Sequence, residues 1–255
     1  MKRGSVIVVS SPDDDFGATG RVVKGRLIGA TYRYRHSNVL WRLFSGFLYY
    51  VVAPIPAWLV ARYYGLRIHN RRAIRESGGC YLYGNHTHWV DAILPYILAF
   101  PRRMRVVTGP TAVSVPVVRH LVALMGGVPL NTTVAGKTEF RAALTEAVRR
   151  GEAVAIFPEA HEWPYYNRIR EFSPASFTYP VHDGSPVVGY VLTYRSRRWL
   201  KFRAPALTVT VAPPIRPEVW AGAADPKQVV RDLVHKFMCE TVESEHSIEW
   251  VHYQQ

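Results

Sequence analysis

The sequence has little cysteine and little negative charge for its length. Only two of its 255 residues, Cys80 and Cys239, are cysteines, and a widely spaced pair in a chain this long is not a disulfide framework. A reducing, cytosol-facing environment is therefore expected. Asp and Glu number 19 against 32 Lys and Arg, which gives a formal net charge of +13. This excess favours a polyanionic partner, either nucleic acid or an anionic lipid surface.

Several sequence signatures are also missing. No internal repeat, low-complexity tract, Gly-x-Ser-x-Gly nucleophile elbow or recognised nucleic-acid module is visible. The short apolar run at 5–9 is too short for the core of a signal peptide. Because 48% of the residues are hydrophobic, the chain can bury a full core and is not globally disordered. Its length suits one sizeable α/β domain with a peripheral attachment.

The first 36 residues carry few signals for regular structure. Three consecutive aspartates at 13–15 are followed by Gly17 and Gly20, a pattern typical of a loop. The stretch 21–35 is basic. We therefore predict that residues 1–36 form a flexible basic arm that can lie on an acidic membrane.

The next stretch is strongly apolar. Between Arg42 and Arg62 the segment 43–61 contains no charged residue, and about 20 apolar residues are needed for a helix to cross a bilayer. Pro54 and Pro56 interrupt it, and each removes a helical hydrogen bond. The pattern predicts two short helices joined at the prolines, which dip into one leaflet as a hairpin over residues 37–63. A buried core hairpin is the alternative. Aromatic rings that favour the headgroup region flank the segment, at Trp41, Tyr49, Tyr50, Trp58, Tyr63 and Tyr64.

Beyond residue 64, short apolar runs alternate with longer amphipathic ones. This alternation predicts an α/β fold with a mostly parallel central sheet covered by helices, preceded by the N-terminal apolar helical hairpin. Strands are predicted at 80–84, 105–108, 153–157, 186–192 and 207–211. Helices are predicted at 89–100, 115–125 and 137–150, and a last helix is predicted to begin after Asp225 as N-cap with Pro226 at its first position.

The clearest chemical motif is Asn85-His86-Thr87-His88-Trp89-Val90-Asp91, which follows a predicted strand. Sites in parallel sheets form at the carboxyl ends of strands. If His86 lies in the loop and Asp91 in the first turn of the next helix, the two side chains can meet. Histidine titrates near neutral pH, and a carboxylate on one ring nitrogen fixes the tautomer and stabilises the imidazolium. This pair is suited to general-base activation of a hydroxyl.

These motifs resemble those of the lysophospholipid (1-acylglycerol-3-phosphate) acyltransferases. That family has Asn-His followed by Asp after four further residues, and also Phe-Pro-Glu-Gly, which Phe157-Pro158-Glu159-Ala160 approaches. The segment 126–132 resembles a glycine-led family block, and 184–188 resembles the final block. The order and spacing of these motifs agree with the family over roughly residues 40–240.

The resemblance implies a glycerolipid acyltransferase-like fold, with the catalytic domain at 64–255, and a membrane-associated O-acyltransferase activity. His86 would be the base and Asp91 its orienting partner. The sequence does not name the oxyanion donors, for which backbone amides at the start of the helix after His86 are candidates. The donor would be acyl-CoA or an acyl-carrier protein, used as co-substrate without a cofactor or metal. The expected partners are a lysophospholipid acceptor, similar to lysophosphatidic acid, and anionic membrane lipids at the cytoplasmic face of the cell membrane, and no nucleic acid. The substrate-binding candidates are Asn85, Gly127, Thr132, Lys137, Arg141, Pro158 and Glu159.

Several positions depart from the family pattern. Thr132 stands where an arginine usually binds the acceptor phosphate, and the stretch 108–116 lacks a lysine that is often found there. Ala160 replaces glycine, and a left-handed backbone at an alanine costs about 1–2 kcal/mol. His161-Glu162 replace Thr-Arg. The missing positive charge could be supplied by Arg102, Arg103, Lys137 or Arg141, each of which could equally be a solvated surface residue.

Other interpretations stay open. His86 could be a structural histidine at a strand end, and Glu159 could only pair with a neighbouring arginine. His88 is expected to support the site from behind or to lie on the surface. Together with His86, Asp91 and His161 it also allows a metal-dependent hydrolase. The remaining alternatives are a lipid-binding relative without turnover and a nucleic-acid-binding module.

Overall fold

The computed structural model describes residues 1–11, 13–16, 28, 32–34, 38–109, 116–131, 133–197 and 204–254. Within them the strands are β1 Ser5–Val8, β2 Arg67–His69, β3 Cys80–Gly84, β4 Met104–Thr108, β5 Gly127–Pro129, β6 Ala153–Ile156, β7 Val187–Arg195, β8 Ala206–Val211 and β9 Val251–Gln254. The α-helices are α1 Val39–Phe47, α2 Pro54–Tyr63, α3 Arg72–Glu76, α4 Leu94–Ala99, α5 Pro116–Met125, α6 Val134–Arg149, α7 Thr178–Asp183 and α8 Pro226–Ser244. Short 3-10 helices lie at Trp89–Ala92, Pro174–Phe177 and Pro217–Val219, and a π-helical turn at Leu48–Val52.

The central sheet has the strand order β2-β8-β7-β3-β6-β4-β5 among the described residues. Only the β7–β8 pair within it is antiparallel. This arrangement confirms the predicted α/β fold with a mostly parallel sheet. The fully buried strand β3 lies between β7 and β6, so its carboxyl end opens at the middle of the sheet.

Side chains alternate between two apolar layers, one on each face of the sheet. Leu82 of β3 packs in one layer together with side chains of the N-terminal helices, whereas its neighbours Tyr81 and Tyr83 pack in the other with α6 and α8. Because successive residues of a strand point to opposite faces, a strand covered on both faces reads as a continuous apolar run. Both faces of the sheet are therefore covered by helices, as predicted.

The predicted N-terminal hairpin is wrong in its connection. Two helical pieces do occur on either side of the prolines, but α1, the π-turn and α2 follow one another as one apolar helix from Val39 to Tyr63. Ala53 keeps a right-handed helical backbone, and its N–H donates to the carbonyl of Leu48 at 2.8 Å. The wider π-turn accommodates Pro54, which lacks an N–H, at the start of α2. The prolines therefore change the helical pitch without reversing the chain.

Two further differences concern other predicted elements. The predicted helix 89–100 is two helices, because Pro95 has no N–H for a helical bond and lies near the start of α4. Ser5–Val8, within the predicted flexible arm, is instead strand β1 and pairs in parallel with β9. Most of the remaining arm lies outside the described residues. The last helix begins as predicted, with Asp225 as N-cap accepting from Gln228 N.

Candidate active site

Two loops meet at the carboxyl edge of the sheet. Strands β3 and β6 are parallel neighbours, with Tyr83 opposite Ile156. The His86 loop follows β3, and the Phe157–Glu159 turn follows β6. Because both strands end at the same edge, these motifs, 73 residues apart, lie in contact: the backbone N–H of His86 donates to Glu159 Oε2 at 3.3 Å.

His86 and Asp91 form the predicted pair. His86 lies in the loop, Asp91 lies in the 3-10 helix, and Nδ1 of His86 is 3.1 Å from Asp91 Oδ2. The Asp91 side chain is 1% exposed, whereas 24% of the His86 side chain remains exposed. The His86 ring stacks on Phe157, with centroids 4.6 Å apart. The carboxylate is therefore shielded, and the imidazole keeps one accessible edge.

Asp91 also organises the loop backbone. Its Oδ2 accepts hydrogen bonds from the N–H groups of Thr87 at 2.8 Å and His88 at 2.9 Å. Together with His86 Nδ1, three groups converge on one carboxylate oxygen. These two amides and that of Val90, which donates to His88 Nδ1, are occupied within the loop, so the structure gives no support to these three as oxyanion donors.

The pKa of His86 is raised above its usual value. Burial alone lowers it, but the hydrogen bond and charge of Asp91, with the nearby carboxylates of Glu162 and Glu159, outweigh burial. The ring is therefore a stronger base than a free histidine. The same negative charges stabilise the imidazolium when a proton is taken up.

Glu159 is a buried ion-pair residue. Its side chain is 0% exposed, and its Oε2 accepts from Arg170 Nη2 at 2.9 Å and from Arg170 Nε at 3.3 Å. Burial raises the pKa of Glu159, and Arg170 opposes this. Arg170 also donates to the carbonyl of His161 and lies over the Trp163 ring, 4.8 Å from its centroid. In this structure Glu159 is engaged by Arg170 and by the His86 backbone, so its geometry favours positioning of the loop over direct contact with an acceptor.

Asn85 has a comparable geometry. It is 1% exposed, its Nδ2 donates to Leu192 O at 3.0 Å, and its Oδ1 accepts from Leu192 N at 2.8 Å. The side chain thus binds β7 as a backbone strand would. This anchors the residue before His86 and leaves the amide little capacity to bind substrate.

The remaining predicted binding residues differ in their position relative to the His86 loop. Gly127 is explained by packing, because a Cβ there would lie 2.2 Å from Cγ1 of Val122. Lys137 and Arg141 are exposed on α6, and no hydrogen bond or ion pair recorded for the described residues joins either to the loop. Pro158 is half-buried in the turn before Glu159. Thr132 lies outside the described residues.

His88 is a buried capping residue. It is 1% exposed, its Nδ1 accepts from Val90 N at 3.1 Å, and burial lowers its pKa to about 4. The ring meets those of Tyr64 and Tyr165 edge-on at 5.0 Å. Of the two positions expected for His88, the surface position is wrong. Its buried capping position beside the His86–Asp91 pair agrees with the other, a supporting role for the site. Among the described residues, no group of three or more His, Cys, Asp or Glu side chains is arranged to hold a metal ion.

The segment after Glu159 and strand β7 make contacts with the His86 loop that no sequence pattern indicated. Trp163 N donates to His86 O at 3.1 Å, Tyr165 N donates to Thr87 O at 2.7 Å, and the Tyr194 hydroxyl donates to Thr87 O at 2.8 Å. Ala160 has φ +65°, the left-handed conformation that glycine favours. The segment directly follows Phe-Pro-Glu in the chain, and that position is the one feature of the sequence that could have drawn attention to it. The distances along the chain from this motif to Arg170 and to Tyr194 match none of the motifs found in the sequence.

Comparisons with known proteins identify the class. The model of the Acyltransferase family matches residues 65–210, more than half of the chain. The chain therefore belongs to the Acyltransferase family.

A solved structure shows the same fold. This chain is similar to the 1-acyl-sn-glycerophosphate (LPA) acyltransferase PlsC from Thermotoga maritima, with a TM-score of 0.56 and 16% sequence identity, over 83% of this chain and 97% of that chain. No curated protein sequence matches the chain significantly.

Proposed function

We propose that this acyltransferase transfers a fatty acyl group from acyl-CoA or an acyl-carrier protein to the free hydroxyl of a lysophospholipid, with His86 as general base. The observation that carries the proposal is the His86–Asp91 pair at the carboxyl edge of the sheet, with Asp91 buried and the imidazole partly open. Membership of the Acyltransferase family supports the reaction type.

The geometry suggests a proton path. Asp91 accepts the Nδ1–H of His86, which leaves the lone pair of Nε2 for the acceptor hydroxyl. As the hydroxyl oxygen attacks the thioester carbonyl carbon, Nε2 takes its proton and Asp91 balances the imidazolium charge. When the tetrahedral intermediate collapses, the C–S bond breaks and His86 returns the proton to the leaving thiolate. No acyl-enzyme is needed.

A lysophospholipid is the acceptor class that we propose, with lysophosphatidic acid as the reference member. The acceptor class is supported by the fold shared with a protein described as an LPA acyltransferase. In this chain Arg170, which lies beside the His86 loop through its contact with Glu159, is already paired with that carboxylate. The head group of the acceptor is therefore the variable that a panel of lysolipids tests.

We also propose that the enzyme works on an anionic membrane surface at the cytoplasmic face. The helix Val39–Tyr63 is long and apolar enough to cross a membrane by length and composition, and only 17% of its most apolar window is buried. The buried side chains of this helix face the domain and are those of Ser45, Tyr49 and Ala57. Tyr64, directly after the helix, is buried as well. This one-sided packing supports a helix that lies in the membrane interface, with its exposed apolar face in the lipid.

The test is product analysis by mass spectrometry. Protein in vesicles is incubated with labelled acyl-CoA or acyl-carrier protein and a panel of lysolipids that differ in head group. We expect a labelled diacyl product that disappears in His86→Ala. His182→Ala, which changes an exposed histidine at the opposite edge of the sheet, is the matched control and should retain activity.

Two results would contradict the proposal. Full activity in His86→Ala would show that His86 is not the general base. No product from the unchanged protein with either donor would favour a lipid-binding relative that does not turn over.

A further inference from the structure

Three buried polar atoms at the candidate active site have no hydrogen-bond partner among the described residues. They are Oδ1 of Asp91, Nε2 of His88 and the hydroxyl oxygen of Tyr190. Asp91 is 1% exposed and Tyr190 is fully buried. Buried polar groups in proteins are nearly always hydrogen-bonded, and an unpaired one costs about 1–3 kcal/mol. The Asp91 oxygen can only accept a hydrogen bond, whereas the Tyr190 hydroxyl can donate one, so these two atoms are complementary.

The strand register places the Tyr190 hydroxyl at the base of the His86 loop. Tyr190 of β7 lies opposite Gly84, the last residue of β3. A Cβ on Gly84 would lie 2.4 Å from the Tyr190 hydroxyl oxygen and 2.1 Å from its Cζ. The ring therefore fills the space that any other side chain at position 84 would need. The Tyr190 hydroxyl therefore lies against Gly84, which precedes His86 by two residues in the chain.

The next tyrosine on the same face of β7, Tyr194, also has its hydroxyl at the His86 loop. Tyr194 donates to Thr87 O and to Thr87 Oγ1, each at 2.8 Å, so the loop passes over the Tyr194 hydroxyl. Burial chiefly, and the charge of Asp91 in addition, raise the pKa of both Tyr190 and Tyr194. The charge of Asp91 thus acts on both hydroxyls, but that of Tyr194 is already bound to Thr87.

We infer that the Tyr190 hydroxyl is linked to Asp91 Oδ1 through one buried water, to which it donates a hydrogen bond, and is a positioning residue for the His86–Asp91 pair. Oδ2 of Asp91 already accepts from His86, Thr87 and His88, so Oδ1 is the oxygen left to accept. A donor on Oδ1 fixes the rotation of the carboxylate and thereby the direction of Oδ2 toward His86. This role for Tyr190 rests on the proposed function of His86 and Asp91.

The inferred link has a consequence for the acidity of His86. A hydrogen bond to a carboxylate disperses its negative charge. Without the Tyr190 donor, Asp91 would hold the Nδ1 proton more strongly and the pKa of His86 would rise. The low-pH limb of the kcat/KM profile, where His86 becomes protonated, should then move to higher pH.

The experiment compares Tyr190→Phe with Tyr194→Phe. Each variant loses one buried hydroxyl on the same face of β7, but only that of Tyr190 is inferred to be linked to Asp91 through water. For Tyr190→Phe we expect the low-pH limb to move up by about 0.5 pH unit, and the plateau value of kcat/KM to fall about 3- to 30-fold. Tyr194→Phe should leave the position of the limb unchanged. A limb that stays in place in Tyr190→Phe, or moves equally in both variants, would overturn the inference.

A second measurement separates this inference from the proposed reaction. Diethyl pyrocarbonate reacts with the neutral form of an imidazole and not with the protonated form. Mass spectrometry of the peptide that contains His86 therefore gives the rate of His86 modification as a function of pH. The variant His86→Gln shows which part of the modification belongs to His86. The midpoint should be higher in Tyr190→Phe than in the unchanged protein, even in a protein without turnover. An equal midpoint would disprove the water-mediated link, whereas absence of acyl transfer would disprove only the proposed function.

Discussion

At the scale of single residues, the basicity of His86 results from opposing effects. The ring is largely enclosed, which favours the neutral form, but three carboxylates act on it and the nearest, Asp91, is 3.1 Å away. The net effect is a raised pKa. A base whose pKa lies closer to the working pH transfers protons more effectively.

Asp91→Asn should therefore slow acyl transfer and shift its pH dependence. We expect kcat/KM to fall by about 10²–10⁴-fold, as is typical when the orienting carboxylate of a catalytic histidine is lost. The pKa of His86 should fall, because burial persists while the hydrogen bond and charge that raise it are gone. The remaining activity should then extend to lower pH than in the unchanged protein, as measured by the pH profile of kcat/KM.

The double variant is the control for this prediction. Since Asp91 is proposed to act through His86, His86→Ala with Asp91→Asn should be about as inactive as His86→Ala alone. Losses that multiply in the double variant would show that Asp91 has a separate role.

The residues of the site were predictable to different extents. His86 and Asp91 were found from their spacing, because the chemistry requires both within one strand-exit loop. Asn85 and Glu159 were found as motif residues, but their contacts depend on Leu192 and Arg170, which approach only through sheet pairing and the path of the 160–170 segment. Local sequence carries no signal for such contacts. The pairing of Glu159 with a neighbouring arginine was nevertheless among the open alternatives.

At the scale of elements, the N-terminal helix is held to the domain by a small number of polar anchors. The hydroxyl of Tyr49, in the π-turn, donates to Arg102 O at 3.0 Å and accepts from Met104 N at 2.8 Å. Ser45 donates to Leu124 O and accepts from Arg103. The two prolines suggested a chain reversal, because sequence marks the loss of a hydrogen bond without showing which alternative pitch replaces it. The π-turn instead keeps Tyr49 facing β4.

Tyr49→Phe should destabilise the protein more than Tyr50→Phe. The first substitution leaves Arg102 O and Met104 N without their partner, at a cost of about 1–3 kcal/mol. Tyr50 is 45% exposed, and its hydroxyl makes no hydrogen bond recorded within the described part of the chain, so its loss should change stability by less than about 0.5 kcal/mol. Urea denaturation of the two detergent-solubilised variants, followed by tryptophan fluorescence, measures the difference. Equal midpoints would show that Tyr49 does not anchor the helix.

At the scale of the whole molecule, net charge and apolar surface point to the same partner. The chain carries a formal charge of +13, and the exposed face of the Val39–Tyr63 helix presents large apolar side chains. Those that are more than half exposed are Val39, Leu40, Leu43, Phe44, Phe47, Val51, Ile55, Trp58 and Leu59. An apolar patch of this extent on a basic protein is suited to an anionic lipid surface. A nucleic acid would offer no apolar counterpart to this face.

Membrane binding should therefore depend on this helix face and on salt. Substituting glutamine for Leu40, Phe44 and Trp58, which are 76%, 53% and 64% exposed, removes apolar area without disturbing the packed face. If each side chain contributes about 1 kcal/mol of lipid burial, affinity for vesicles should fall roughly 100-fold.

The matched control is a triple glutamine variant at exposed apolar residues outside the helix, namely Val6, Val219 and Leu233. Co-sedimentation with vesicles of phosphatidylglycerol and phosphatidylcholine measures both. Binding of the unchanged protein should weaken as ionic strength rises, because screening reduces the attraction to anionic lipid. An equal loss of binding in the two triple variants would show that the helix face is not the membrane-binding surface.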